Sequence, residues 1–425
     1  MNRSLRLLLV VAGLAAVGCD DSQGLRTQPW SLGTEVPRFA VRSADFKTSV
    51  ASYGLLDANG DPLADAWIHS GSTWPGLTAT LSGDNVLPTV SDQGVLTILD
   101  RFQTDVVTRV DFATGAVLGQ ARTQTESSHA AWSSNPQDMV FVSPTSAWIS
   151  RYEPNVDPAA TADSLGNDLV ELNPQTMTLT GQRIDMSPGN VTVSVTTMSG
   201  TMDVVAYARP SRMVQVPGRL VVGIDRLSAS FDAAGPGAVA IVDLGAKTVT
   251  VHGIPDLQNC GDLQPVPGAS NRVLARCVGY YGDLAPKSGF VVLEVGSDGS
   301  VNEVARYETN AHPSEDSIVD AALALSSRYV LAVHLGGWTD TSPPDALYVL
   351  DLSNGTRTKI ADALHPQDFF VQMAYDPTSG LVLVPDHTQG IRRYHWDAAG
   401  STLSAVDVRA FGRLHLPVVA ISLLP

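Results

Sequence analysis

Short apolar runs rich in Val, Thr and Ile recur along the chain, each ending on an acidic or Asn residue followed by a Gly- or Asn-containing turn. This pattern predicts antiparallel β-strands joined by hairpins. The turns fall at Asn59-Gly60, Thr114-Gly115, Gln175-Thr176, Gly245-Ala246, Asp298-Gly299, Asn354-Gly355 and Ala399-Gly400. Their mean spacing of roughly 57 residues leaves room for four strands and their loops in each unit. A second theme precedes the hairpins: Asn135-Pro136-Gln137-Asp138, His312-Pro313-Ser314-Glu315-Asp316 and His365-Pro366-Gln367-Asp368, with Arg209-Pro210-Ser211 as a weaker copy. Pro is tolerated where a strand begins, because the first residue need not donate to a ladder, so these segments are expected to lead into innermost strands.

The two ends of the repeat complement each other. Leu416 to Leu424 reads as a strand with no hairpin after it, while Arg38 to Ser70 has strands and a hairpin but no inner strand. Together they complete one unit, so Val418 to Ser422 is expected beside Phe39 to Val41. Sealing the stack this way removes the unpaired edges an open solenoid would leave. The fold class expected is all-β: a seven-bladed β-propeller of four-stranded antiparallel blades, closed by N- and C-terminal strands that share one blade. It would occupy residues 38–425 as a single domain.

Residues 95 to 120 (VLTILDRFQTDVVTRVDFATGAVLGQ), 147 to 152 (AWISRY) and 167 to 184 (NDLVELNPQTMTLTGQRI) resemble the YVTN-type repeats of surface-layer-like propellers. Trp148-Ile149-Ser150-Arg151 stands in place of the four-letter motif. The resemblance spans residues 75 to 408 and implies an envelope protein that binds or scaffolds, without naming a target.

Composition narrows the partners. Among 425 residues, 27 Lys plus Arg face 43 Asp plus Glu, giving a formal charge of −16. No basic cluster is present for a phosphate backbone, so nucleic acid is not an expected partner. At the N-terminus, Arg3 and Arg6 precede the apolar run Leu7 to Ala15, which ends in Ala16-Val17-Gly18-Cys19. The run is too short to span a bilayer. It is similar to a bacterial lipoprotein signal, which implies removal of residues 1–18, lipidation of Cys19 and a membrane partner reached through that anchor. Residues 19–37 then read as a flexible tether. The expected location is the bacterial cell envelope, at the outer membrane or the periplasmic face of the inner membrane.

With Cys19 lipidated, Cys260 and Cys277 remain as an even pair in an oxidising compartment, and a disulfide is expected. Asp57, Asn59 and Asp61 have the alternate oxygen spacing that opens a calcium loop, but Pro62 and Ile68 occupy the positions needing Gly and Glu. An Asn-Gly hairpin explains them better, and no metal is expected. Gln137, Asp138, His312, Asp316, His365, Gln367 and Asp368 occupy equivalent Pro-containing segments that several blades could bring towards one channel mouth, so they are the candidate ligand-binding residues. The alternative for them is hydrogen bonding between blades. Trp148 is expected to pack between blades, and Ser187 to Arg209 to form either a binding loop or an additional hairpin.

No nucleophile-elbow motif and no Gly-rich phosphate loop occur, so no cofactor and no catalytic residue is singled out. The leading expectation is therefore a membrane-anchored propeller that binds a protein or a small polar ligand without catalysis. The alternative is a lactonase-like propeller hydrolase with its site at the central channel mouth. Metabolic labelling with a fatty acid is expected to mark the chain, and Cys19→Ser is expected to abolish the label; persistent labelling of the variant would contradict a lipidated Cys19.

Overall fold

The computed structural model describes residues 31–45, 47–124, 132–197, 200–280, 287–309, 318–337, 339, 341–369, 372–412, 414 and 416–425. Cys19, His312 and Asp316 lie outside the described residues. Among those described, seven antiparallel sheets have four strands and an eighth has three. Each of the seven turns read from the sequence joins the third and fourth strands of one four-stranded sheet, counted outwards from its innermost strand.

The first sheet combines both ends of the repeat. Phe39–Asp45 pairs on one side with Val50–Leu56 and on the other with Val418–Leu423, in the register Phe39↔Leu423, Ala40↔Ser422, Val41↔Ile421 and Arg42↔Ala420. Side chains reinforce the seal. The Arg38 guanidinium donates to the Leu424 carbonyl at 2.7 Å and to Asp376 Oδ1 at 2.8 Å, while the Ile421 amide donates to the Gln372 carbonyl at 2.8 Å. Burial would raise the Asp376 carboxyl, yet hydrogen bonds from Arg38, Ser379 and Thr378 hold it down at about 2.

Middle strands such as Val95–Asp100 and Leu381–Asp386 are buried along their whole length, because neighbouring sheets cover both of their faces. Outermost strands such as Thr402–Arg409 are largely exposed. The apolar core is divided between the sheets. Leu55 packs with Leu96 between the first and second sheets, Leu99 with Ile149 between the second and third, and Trp148 with Met213 between the third and fourth. Val239 then packs with Leu263, Phe290 with Ala322, and Leu347 with Val384. Finally Leu383 of the seventh sheet packs with Val41 and Ile421 of the first, which makes the series circular. Trp148 thus has the packing role expected of it.

The remaining sheet is a local addition. Val191–Thr197 and Gly200–Tyr207 form a hairpin joined by Leu227–Ser228, so Ser187 to Arg209 is an additional hairpin. Cys260 and Cys277 are disulfide-bonded at a sequence separation of 17. In the loop-entropy account a closure of this size stabilises by about 3 kcal/mol. Pro136 and Pro210 begin innermost strands as expected. Pro366 does not, since the innermost strand of the seventh sheet is only Ala374–Tyr375.

Asp100 sits fully buried between the first two sheets. Its Oδ1 accepts from the Ser82 amide at 2.7 Å and the Ser82 hydroxyl at 2.9 Å, whereas Oδ2 meets no hydrogen-bond donor among the described residues. Desolvation outweighs these bonds and pushes the carboxyl up to about 6. The folded chain therefore holds this proton more tightly than the unfolded chain, and stability falls as pH rises from about 4 through about 6. Asp100→Asn keeps the shape without the charge and is expected to raise the melting temperature at pH 8 by a few degrees, with a smaller gain at pH 5. A melting temperature lowered equally at both pH values would contradict this reading.

Candidate functional site

The innermost strands enclose a cavity of about 600 Å³, to which all seven four-stranded sheets or the segments beside them contribute. That volume suits a small organic ligand. Four arginines, Arg38, Arg101, Arg212 and Arg276, line it together with two aspartates, Asp225 and Asp262. In a chain of formal charge −16 the inner wall has the opposite balance. The cavity is suited to a ligand that carries negative charge or develops it during reaction.

Three of these arginines have carboxylate partners. Arg38 pairs with Asp376, Arg101 with Asp84, and Arg276 with Asp262. Arg212 differs. It lies in the innermost strand of the fourth sheet, and its Nη1 donates to the carbonyls of Leu87 at 2.7 Å and Gln137 at 3.1 Å. Among the described residues no carboxylate forms an ion pair with it, so two carbonyl dipoles hold a cation whose other nitrogens are left for a ligand. Asp138 lies nearby but is engaged elsewhere. It accepts from the Thr89 amide at 2.8 Å and hydroxyl at 2.6 Å, and from the Met213 amide at 2.7 Å. Desolvation raises its carboxyl despite the nearby Arg212.

Asp225 follows the strand Arg219–Ile224 and is the carboxylate whose environment best fits chemistry at neutral pH. Desolvation pushes it up to about 6, against the lowering effects of Tyr152, Arg276, Arg209 and the Gly261 amide. Glycine at 261 leaves room for this carboxylate, because a Cβ at that position would stand 2.2 Å from Asp225 Oδ1 and displace it. Tyr152 also lines the cavity, and burial raises its hydroxyl well above the usual value, so it remains a hydrogen-bond donor. Behind it Arg209 is wholly buried, its guanidinium carbon 5.1 Å from the Tyr152 ring centroid and its side chain ion-paired with Glu153. A carboxylate that titrates near pH 6 can take a proton from water, while fixed arginines can hold an anionic group or a developing oxyanion.

The residues singled out from the sequence do not assemble here as a set. Gln137 does line the cavity, where its Oε1 accepts from Arg101 at 2.9 Å. Asp138 is buried and connects three sheets through its bonds to Thr89 and Met213. His365, Gln367 and Asp368 are not among the residues that line this cavity: Asp368 Oδ2 accepts from the His365 amide at 2.9 Å, and its Oδ1 accepts from the Thr388 hydroxyl at 3.0 Å. The carboxylate closes its own turn, leaving His365 and Gln367 exposed. Asp57 likewise accepts from the amides of Asn59 and Asp61, both at 2.8 Å, as a hairpin turn requires. Sequence reasoning missed Arg212, Asp225, Tyr152 and Arg276. One available signal was that 23 of the 27 basic residues are arginine, the cation best suited to partly buried sites.

No family model matches the chain, and no curated protein matches it. Among solved structures, the periplasmic gluconolactonase PpgL of Pseudomonas aeruginosa is similar at a TM-score of 0.53 and 12% identity, over 92% of this chain and 99% of that one. A Bacteroides fragilis protein assigned provisionally as a 6-phosphogluconolactonase is similar at a TM-score of 0.52 and 13% identity, over 92% and 98%. At such identities the likeness establishes architecture alone. The chain folds as a β-propeller.

Inorganic phosphate, used as a minimal anion, is expected to raise the melting temperature of the unaltered chain but not that of Arg212→Met. Equal stabilisation of both would contradict an anion site at Arg212.

Proposed function

We propose that the chain is a lactonase-like hydrolase that opens a small, hydroxyl-rich lactone in the central cavity, taking the seven four-stranded sheets as the seven blades around it. The observation that carries this reading is the conjunction, in one cavity, of a carboxylate pushed up to about 6 with an arginine that has no carboxylate partner among the described residues. Asp225 takes a proton from water as the water oxygen adds to the lactone carbonyl, and an arginine stabilises the oxyanion. Collapse of the tetrahedral intermediate breaks the ring C–O bond. The departing alkoxide recovers a proton and the product is a hydroxy acid, whose carboxylate suits the arginine-lined wall. Support also comes from the two propellers of similar architecture, whose names describe them as lactonases.

A second reading, binding without turnover, is favoured by the additional hairpin. It leaves Met202 and Val205 exposed on opposite faces of one strand, away from the lining of the central cavity, where a protein partner could grip the hairpin. In either case the proposal includes lipidation at Cys19, with residues 19–37 as the tether to an envelope membrane.

Hydrolysis of a sugar lactone is expected to show kcat/KM rising with pH through about 6, as Asp225 loses its proton. Asp225→Asn is expected to lower kcat by about 10²-fold or more while leaving the fold intact. A folded Asp225→Asn variant with unchanged kcat, or no turnover of any sugar lactone by the unaltered chain, would overturn the hydrolytic reading.

A further inference from the structure

Neither cysteine of the disulfide lines the cavity, yet the neighbours of both do. Asn259 and Gly261 flank Cys260, and Arg276 and Val278 flank Cys277. The segment that carries Cys260 reaches several parts of the site. The Gly261 amide hydrogen-bonds to the Asp225 carboxylate, and the Gly261 carbonyl accepts from the Arg212 amide at 2.9 Å. Asp262 is the cross-strand neighbour of Arg276 and accepts from its Nε at 2.9 Å.

This segment does not adopt its shape freely. Asp256 and Asn259 hold φ values of 66° and 57°, in the left-handed region, which costs roughly 1 kcal/mol or more per residue unless the surroundings enforce it. Backbone bonds supply part of the enforcement: Val278 and Gly279 donate to the carbonyls of Asn259 and Gln258, both at 3.0 Å. The disulfide adds a covalent link at the same place, and both cysteines are wholly buried.

We propose that the Cys260–Cys277 disulfide is a positioning device for the cavity, clamping Asn259–Asp262 against Asp225 and keeping Asp262 aligned with Arg276. Its kinetic consequence rests on the hydrolytic reading; its structural consequence does not. The groups that face Asp225 are Tyr152 from the third sheet, Arg209 from the segment leading into the fourth and Arg276 from the fifth, with the Gly261 amide beside them. When the clamp opens, the Gly261 segment draws back and hydration of the carboxylate increases; the relief of desolvation, the largest influence on Asp225, outweighs loss of the Gly261 amide bond, and the carboxyl returns towards the ordinary range. Arg276 loses its fixed partner, which weakens ligand binding.

The test compares the oxidised chain with Cys260→Ala/Cys277→Ala. Carboxyl-detected NMR follows the Asp225 titration, assigned with Asp225→Asn, and kinetics on a sugar lactone give kcat and KM against pH. The expected result is a folded double variant whose Asp225 midpoint falls by about one pH unit. KM should rise several-fold, and the acidic limb of the rate profile should move with the midpoint. A folded variant with unchanged midpoint and unchanged KM would overturn the proposal and leave the bond a purely stabilising staple. If the unaltered chain turns over no lactone, the hydrolytic reading fails while the NMR midpoint alone decides the clamp. Should the double variant not fold, the same titration on the chain reduced with a phosphine at low temperature takes its place; global unfolding on reduction would also overturn the proposal, because positioning requires a ring that stands without the bond.

Discussion

The pairing of Val418–Leu423 with Phe39–Asp45 is the constraint on which the rest of the structure depends. Each of the seven larger apolar clusters is shared by two consecutive sheets, so every four-stranded sheet relies on both neighbours to bury its faces. Such a series has no natural end. Without the terminal strand, the first sheet would present an unpaired edge to the cavity, and Ile421, wholly buried between the seventh and first sheets, would be withdrawn from its contacts. The Arg38 contacts with Leu424 and Asp376 sit at this seam and line the same cavity wall, so closing the ring and shaping the site are one event.

Charge is distributed with the same logic. Asp351 is held well below the ordinary carboxylate range by Arg328, and Asp407 is held at about 2 by Arg393 and Arg409, both pairs lying towards the outer strands. The Arg328–Asp351 pair, with its guanidinium in solvent, contributes little to stability, whereas Arg393 is buried beside Asp407. Deeper in, Arg151 donates through two nitrogens to Asp168 at 2.8 and 2.7 Å, and Arg209 packs with Tyr152 and Phe231. Buried guanidinium groups require satisfied donors, and here backbone carbonyls supply many of them, including those of Thr123, Leu227 and Ser228. Arg212 uses the same device but keeps its charge available to the cavity.

The architecture was largely legible in the sequence because its signals are local. Asn59-Gly60 and Asn354-Gly355 specify hairpins from two adjacent residues, and Gly60 and Gly355 take φ values of 78° and 73° that such turns require. The complementarity of the chain ends and the Cys260–Cys277 pair needed only counting. The site was not legible in this way. Asp225, Tyr152, Arg212 and Arg276 lie on or beside strands of three different sheets, and the Leu87 carbonyl that fixes Arg212 is 125 residues away from it. The placement of His365 and Asp368 away from this cavity was hidden for the same reason. A Pro with a nearby Asp marks a turn as readily as a ligand site, and the Asp368 carboxylate caps that turn. The signals that did exist, the excess of arginine over lysine and glycines such as Gly261 with no room for a side chain, acquire meaning only once the ring brings the strands together.

Native-state hydrogen exchange on the amides of Val418–Leu423 tests the closure most directly. The strand pairs with Phe39–Asp45 and packs on the seventh sheet, so its amides should exchange only through global unfolding, as slowly as those of Val95–Asp100 or Leu381–Asp386. Rapid exchange of that strand while the other sheets stay protected would show that the ring stands open without it, and the account of a cavity shaped by closure would fail.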